Sequence, residues 1–281
     1  MTTIAVIGAS GVYGRHLVPR LVANGHQVRG LVRRPQKATA FAPLGVEMRA
    51  ADIFDAASLR SGLQGCDIAV NLATAVPRPG AAADFAMNDQ LRRQGAPILI
   101  EACVAAGVGR LLQQSIAMVH SGTVADDGWA DETSPVLATA SAVDMERAVI
   151  QSRLDWIILR GGLFYGPGTG HEDQWRAEAR AGTLTMPGDG QSFVSLVHVA
   201  DMAAATVMAL EKWPSRQVML VSDDRPVRWC ELFAYVAAIE GGLPPREGGT
   251  PRASFRVCNR KARETLGWQP VYGDFRAGLA T

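Results

Sequence analysis

Cysteine is scarce in this 281-residue chain, and what there is lies scattered. Cys66, Cys103, Cys230 and Cys258 contain no Cys-x-x-Cys pair, so the spacing encodes neither a zinc site nor a disulfide scaffold. They read as reduced thiols, most of them in or near the core. Charge of one sign is equally short: 28 Lys and Arg face 27 Asp and Glu, a formal +1. That balance argues against an electrostatic binder of nucleic acid or membrane surface, and Arg33-Arg34 is too small a basic spot to alter it. No uninterrupted apolar run approaches the ~20 residues a bilayer crossing needs. No basic segment leads an apolar one at the N-terminus, as a signal peptide would. The expectation is a cytoplasmic protein with no nucleic-acid, membrane or metal partner, as a monomer or homodimer.

What is present begins at residue 4. The apolar run 4–7 reads as a strand buried on both faces, and Gly8, Gly11 and Gly14 turn it directly into residues 15–22, whose apolar positions recur at helical spacing. Strand, glycine turn and helix together make a site where backbone closely approaches a pyrophosphate and a helix N-terminus offers it free N–H groups. A glycine pattern alone is weak evidence; in this setting it predicts a bound dinucleotide.

The alternation continues. Strand patterns fall at 27–32, 45–50, 67–71, 109–114 and 156–160, and helical ones at 56–63, 83–106 and 140–152, with Pro97 set to kink or divide the second. Short connections between them predict an α/β fold of the Rossmann type, a doubly wound parallel sheet. After Arg160 the composition shifts. Residues 161–190 are rich in Gly and Pro and read as loop-dominated. A helix returns at 199–211, a strand at 218–221, and further helices at 230–239 and near 259–268, the last stopped by Gly267. The expected division is a dinucleotide-binding domain at 1–165, also receiving 196–222, with 166–195 and 223–281 forming a small substrate lobe.

With these segments placed, the chain resembles the extended and atypical branch of the short-chain dehydrogenase/reductase superfamily, which includes NAD(P)-dependent epimerases, dehydratases and reductases. The resemblance covers almost the whole length. It rests on the Gly8, Gly11, Gly14 triplet, Asp52, the Asn-Leu-Ala-Thr run 71–74, the Leu-Arg-Gly-Gly-Leu-Phe-Tyr-Gly-Pro run 159–167, the Val-His-Val-Ala-Asp run 197–201 and the Leu-Gly-Trp-Gln-Pro run 266–270. It implies that backbone around Ser10, Val12 and Tyr13 holds the pyrophosphate. Asp52 and Ile53 would flank the adenine, Leu72, Ala73 and Thr74 would line the adenosine ribose, and Leu163 and Phe164 would face the nicotinamide. Where an NAD site carries an acidic residue for the ribose 2′-OH, this chain has Arg33, then Arg34 and Lys37. A guanidinium there suits the 2′-phosphate of NADP, so NADP is expected over NAD.

The resemblance also exposes a gap. Reductases of this superfamily normally pair a tyrosine with a lysine four residues on, beside a Ser or Thr. Matching Glu146 to the acidic residue that commonly follows puts Ala138 and Ala142 at those positions; a shift of two gives Val136 and Ala140. There is no lysine between Lys37 and Lys212 and no tyrosine between Tyr13 and Tyr165. Ser115 follows the fifth strand, yet matching Val119-His120 to the family's Val-Tyr puts Ile116 at the hydroxyl position, so Ser115 is either catalytic or bonded to backbone. His120 and Tyr165 are the candidate replacement acids, with packing beneath the Gly-Pro turn the alternative for Tyr165. His171 and Trp175 are candidate substrate contacts in the irregular lobe, while His198 and Asp201 read as structural. Two functions fit: an NADP-dependent oxidoreductase or epimerase acting on a small carbonyl, alcohol or sugar-like substrate with a non-standard proton donor, or a non-catalytic NADP-binding redox sensor.

Overall fold

In the computed structural model residues 2–77, 84–123 and 128–280 are described. Apolar runs without alternation suit strands covered on both faces, and they become the central sheet: β1 (Thr3–Ile7), β2 (Gln27–Val32), β3 (Glu47–Ala50), β4 (Ile68–Asn71), β5 (Arg110–Ile116), β6 (Asp155–Gly161) and β11 (Gln217–Val221). Their order is β11-β6-β5-β4-β1-β2-β3, and every neighbouring pair is parallel. The order reverses between β1 and β4, where the carboxyl ends of an open α/β sheet leave a ligand crevice.

Alternate residues of β1 serve two cores. Ile4 and Val6 pack with α1 (Val12–Ala23) and α7 (Val199–Lys212), whereas Ala5 and Ile7 pack with α2 (Ala56–Leu63) and α4 (Ala96–Ala106). On this second face α5 (Ala140–Gln151) lies against α4. Between 84 and 106 the chain runs through α3 (Ala86–Gln90), a π turn at Leu91–Gly95 and then α4, with Pro97 in its first turn. The proline therefore divides the segment as its missing N–H requires; residue 83 lies outside the described residues.

A third core gathers Tyr165, Trp175, Leu184, Trp229, Phe233, Phe255 and Phe275. Three two-stranded pairs frame it: β7 (Leu163–Tyr165) with β10 (Leu196–His198), β9 (Phe193–Val194) with β12 (Val227–Arg228), and β8 (Thr185–Pro187) with β13 (Arg246–Gly249). Helices α8 (Trp229–Ile239) and α10 (Phe275–Leu279) complete it, while α9 (Arg260–Leu266) rests on α7 and β11. One expectation is corrected here. Residues 161–190 are not loop-dominated throughout, because α6 (His171–Arg180) forms inside them. Only Trp175 and Ala179 of α6 are buried, and its outer face is tied by Arg176 to Glu172 and Glu240. That narrow apolar stripe is too thin to register as helical periodicity.

Candidate active site

The glycine loop has the shape a diphosphate needs. Gly8 sits at φ +79°, and a Cβ there would lie 3.0 Å from the Ala73 amide nitrogen. A Cβ on Gly14 would overlap the Ala9 carbonyl, so only glycine lets α1 start this close to β1. Gly11 caps α1 with no side-chain hydrogen bond, which leaves the first-turn N–H groups for an anion. Ser10 and Gly11 are exposed beside them and Val12 is half-buried. The Tyr13 side chain turns away: its hydroxyl donates to the Met202 carbonyl, pairs with Thr206 Oγ1, and is pushed well above its ordinary pKa by burial. A nicotinamide dinucleotide thus fits this cradle by backbone, not by side chains.

The adenosine end is assembled from the next three strand ends. Arg33 and Arg34 follow β2, both exposed, their side chains without an ion pair or hydrogen bond among the described residues. After β3, Asp52 is half-buried and accepts the Phe54 N–H at 3.0 Å, while Ile53 is buried against Gly95. After β4, Leu72 donates its N–H to Ile7 at 3.0 Å, the Ala73 N–H is held by Asn71 Oδ1 at 3.1 Å, and Thr74 is exposed.

Where a proton relay is expected there is instead a closed polar chain. Arg160 of β6 grips Glu146 of α5 through Nε at 3.0 Å and Nη2 at 2.6 Å, both side chains nearly inaccessible. Ser115 Oγ donates to the same carboxylate at 2.6 Å. Arg160 Nη1 lies 2.9 Å from His120 Nε2. A guanidinium only donates, so Nε2 accepts and Nδ1 carries the hydrogen, which it donates to the Pro135 carbonyl at 3.0 Å. Burial, then the Arg160 charge, holds the His120 pKa below its usual value; His120 is neutral at pH 7 with both nitrogens spent. Ser115 and His120, expected as catalytic candidates, are therefore interior members of this chain, 1% and 0% exposed.

Tyr165 is corrected likewise. It is fully buried with its hydroxyl unbonded and facing Gly278 of α10, its ring is edge-on to His198 at 5.2 Å, and burial raises its pKa well above the ordinary. His198 accepts the Ala200 N–H at the start of α7, and Asp201 holds the amides of Val271 and Tyr272. Leu163 and Phe164 are half-buried just beyond β6, and Phe164 packs edge-on against Tyr13 at 5.4 Å.

The candidate substrate contacts separate. Trp175 is a core residue, 6.3 Å from Trp229 and 5.8 Å from Phe233, so the expectation of an open contact is corrected; His171 lies over it at 5.7 Å. The hollow next to Leu163 is lined instead by Met118, Ser121, Trp229, Arg252, Ala253 and Phe255, with a volume of about 210 Å³. A larger hollow of about 470 Å³ opens by Trp129, Asp223 and Asn259, beyond the end of β11, and contains no residue of the glycine loop. Sequence reasoning missed Trp229, Arg252 and Phe255. No motif marks them; only the packing of α8 on β12 and the hydrogen bonds of Ser254 and Phe255 to Phe193 of β9 gather them. Among the described residues no group of three or more His, Cys, Asp or Glu is poised for a metal, and no helix is long and apolar enough to cross a membrane.

The family described as NAD(P)H-binding matches residues 8–212. The chain belongs to that family. With it comes the extended short-chain dehydrogenase/reductase superfamily, whose architecture the sheet order reproduces. A 3-diazoavenalumate denitrifying reductase from a Streptomyces species is 32% identical over 98% of both chains. An uncharacterized Mycobacterium tuberculosis protein is 28% identical over 74% of this chain, which spans only 20% of that protein. Further relatives at 26–29% identity are named as reductases. A dTDP-glucose 4,6-dehydratase from Streptomyces venezuelae, solved with NAD bound, shares the fold at a TM-score of 0.85 and 23% identity, over 99% of this chain and 94% of that one. Within this NAD(P)H-binding family the chain is of oxidoreductase type. It departs from the superfamily at the proton relay: Ala142 is 0% exposed, packed on the inner face of α5 one turn before Glu146.

Proposed function

We propose that this protein is an NADPH-dependent reductase that serves an electrophile needing no proton from a side chain at the moment of reduction. Residues 1–165 with 196–222 would bind the nucleotide, and 166–195 with 223–281 would cover the substrate. The observation that carries the reading is the closed chain Ser115–Glu146–Arg160–His120, which ties up the serine and the histidine that could otherwise stand in for the tyrosine–lysine pair. Arg33 and Arg34, exposed and unpaired, supply the preference for a 2′-phosphate. NADPH, when bound, supplies a hydride. The loop after β1 fixes the diphosphate, and Leu163 and Phe164 present an apolar wall that excludes water from the reacting face.

A ketone reduced this way becomes an alkoxide and calls for an acid. A diazonium carbon does not. A C–H bond forms with the incoming electron pair, the C–N bond breaks, and its pair leaves with dinitrogen, so charge balances without a proton. The relative named as a denitrifying reductase of a diazo compound supports this acceptor class. The test is NADPH oxidation with 4-methoxybenzenediazonium against a panel of aldehydes and ketones, with protein-free controls. Protein-dependent release of one dinitrogen per NADPH, with kcat/KM flat between about pH 6 and 8, is expected. Turnover of ketones alone with a bell-shaped profile would overturn it, as would tight NADPH binding with no turnover, the signature of a sensor.

A further inference from the structure

We propose that the hollow beside Leu163 is the substrate subsite and that it takes a compact planar carboxylate, an aromatic or conjugated acid of about one ring, with Arg252 on the carboxylate and Trp229 and Phe255 against the ring. Calling the occupant a substrate rests on the reductase reading above; the binding itself does not.

Size decides first. A cavity of roughly 150 Å³ holds benzene, and this one offers about 210 Å³. Its size matches a single ring with a short polar tail. Chemistry decides next. Met118, Leu163, Ala253, Trp229 and Phe255 make the walls apolar, Ser121 adds one hydroxyl, and Arg252 is the one charged side chain among the described residues that line the hollow. That guanidinium lies 5.2 Å from the Trp229 ring and has neither an ion pair nor a hydrogen bond among the described residues. Most arginines around the lobe are already engaged: Arg176 holds Glu172 and Glu240, Arg276 holds Asp274, and Arg228 reaches the Gln191 carbonyl. Among the described residues Arg252 faces the apolar hollow with no acidic partner, the arrangement that a carboxylate bound through paired N–H donors completes.

The aromatic wall is held rigid. Trp229 is edge-on to Trp175 at 6.3 Å and to Phe233 at 5.3 Å, and it is 3% exposed. Trp175 therefore acts as a positioning residue that backs Trp229. His171, over Trp175, has its pKa lowered by burial and then by the Arg252 charge. It is neutral near pH 7 and adds no second cation to the subsite.

The experiment is a calorimetric titration of the full chain, with and without NADP⁺, using cinnamate as the anionic probe and methyl cinnamate as its neutral counterpart. Wild-type protein is expected to bind cinnamate at least tenfold more tightly than the ester. Arg252→Ala should erase that difference and Arg252→Lys should restore part of it, while the NADPH Kd stays within twofold, since Arg252 is exposed and lies outside the glycine loop. Equal affinity for acid and ester, no cinnamate binding, or selectivity that survives Arg252→Ala would each overturn the proposal. If NADPH fails to bind while Arg252-dependent cinnamate binding persists, the reductase reading falls and the subsite stands.

Discussion

Asp223 shows how one side chain sets a pH dependence. Its carboxyl is 2% exposed, and neither oxygen finds a hydrogen-bond partner. Burial pushes its pKa up to about 9, and the nearby charges of Asp274, Asp224 and Asp201 add to it. An acid whose folded pKa is raised holds a proton that the unfolded chain has released, so folding stability falls as pH climbs from about 4 to about 9. Asp223→Asn mimics the protonated form. It is expected to leave Tm near pH 4 almost unchanged and to raise it by several degrees at pH 8, at about 2–4 °C per kcal/mol. A Tm difference independent of pH would contradict the assignment. Residues of this kind were the least legible in the sequence. Glu146 is ion-paired, but its partner Arg160 lies on another element and becomes visible only when α5 docks on β6. Nothing in the local sequence distinguishes Trp175, a core residue, from a tryptophan open to ligand.

Among the elements, the loop between β1 and α1 allows two glycine roles to be separated. A methyl on Gly14 meets the Ala9 carbonyl, whereas at Gly11, with φ −69°, its nearest neighbour is the Gly8 carbonyl oxygen at 3.2 Å. Gly14→Ala is expected to lower Tm by several degrees, as overpacking costs roughly 1–3 kcal/mol. Gly11→Ala should keep Tm within about 2 °C yet weaken NADPH at least tenfold, because its methyl occupies the approach to the diphosphate. Equal effects of the two in both assays would refute this division. The glycine loop was legible because three glycines between a buried strand and a helix leave few alternatives. The end of that helix, the strands that follow and the Pro97 division were legible for the same reason, since each rests on a local rule. Helix α6 was not, because its stability comes from Trp175 and Ala179 docking on distant α8 and from the Arg176 and Arg180 pairs with Glu240.

For the molecule as a whole, the alternation of buried strands and helices dictated a parallel sheet with covered faces, whose order is β11-β6-β5-β4-β1-β2-β3. The lobe resisted reading because its core draws Leu184, Trp229, Phe255 and Phe275 from segments far apart in the chain. What unites the two halves in this account is a nucleotide laid across the carboxyl ends of β1 to β4, with Arg33 on its 2′-phosphate and the small aromatic hollow at its other end. The most direct test is a calorimetric titration of the purified protein with NADPH and NADH, repeated on Arg33→Glu. NADPH is expected to bind at least tenfold more tightly than NADH, about 1.4 kcal/mol, with that preference lost or reversed in the variant. Equal affinities in the wild-type protein, or no heat with either nucleotide, would contradict it.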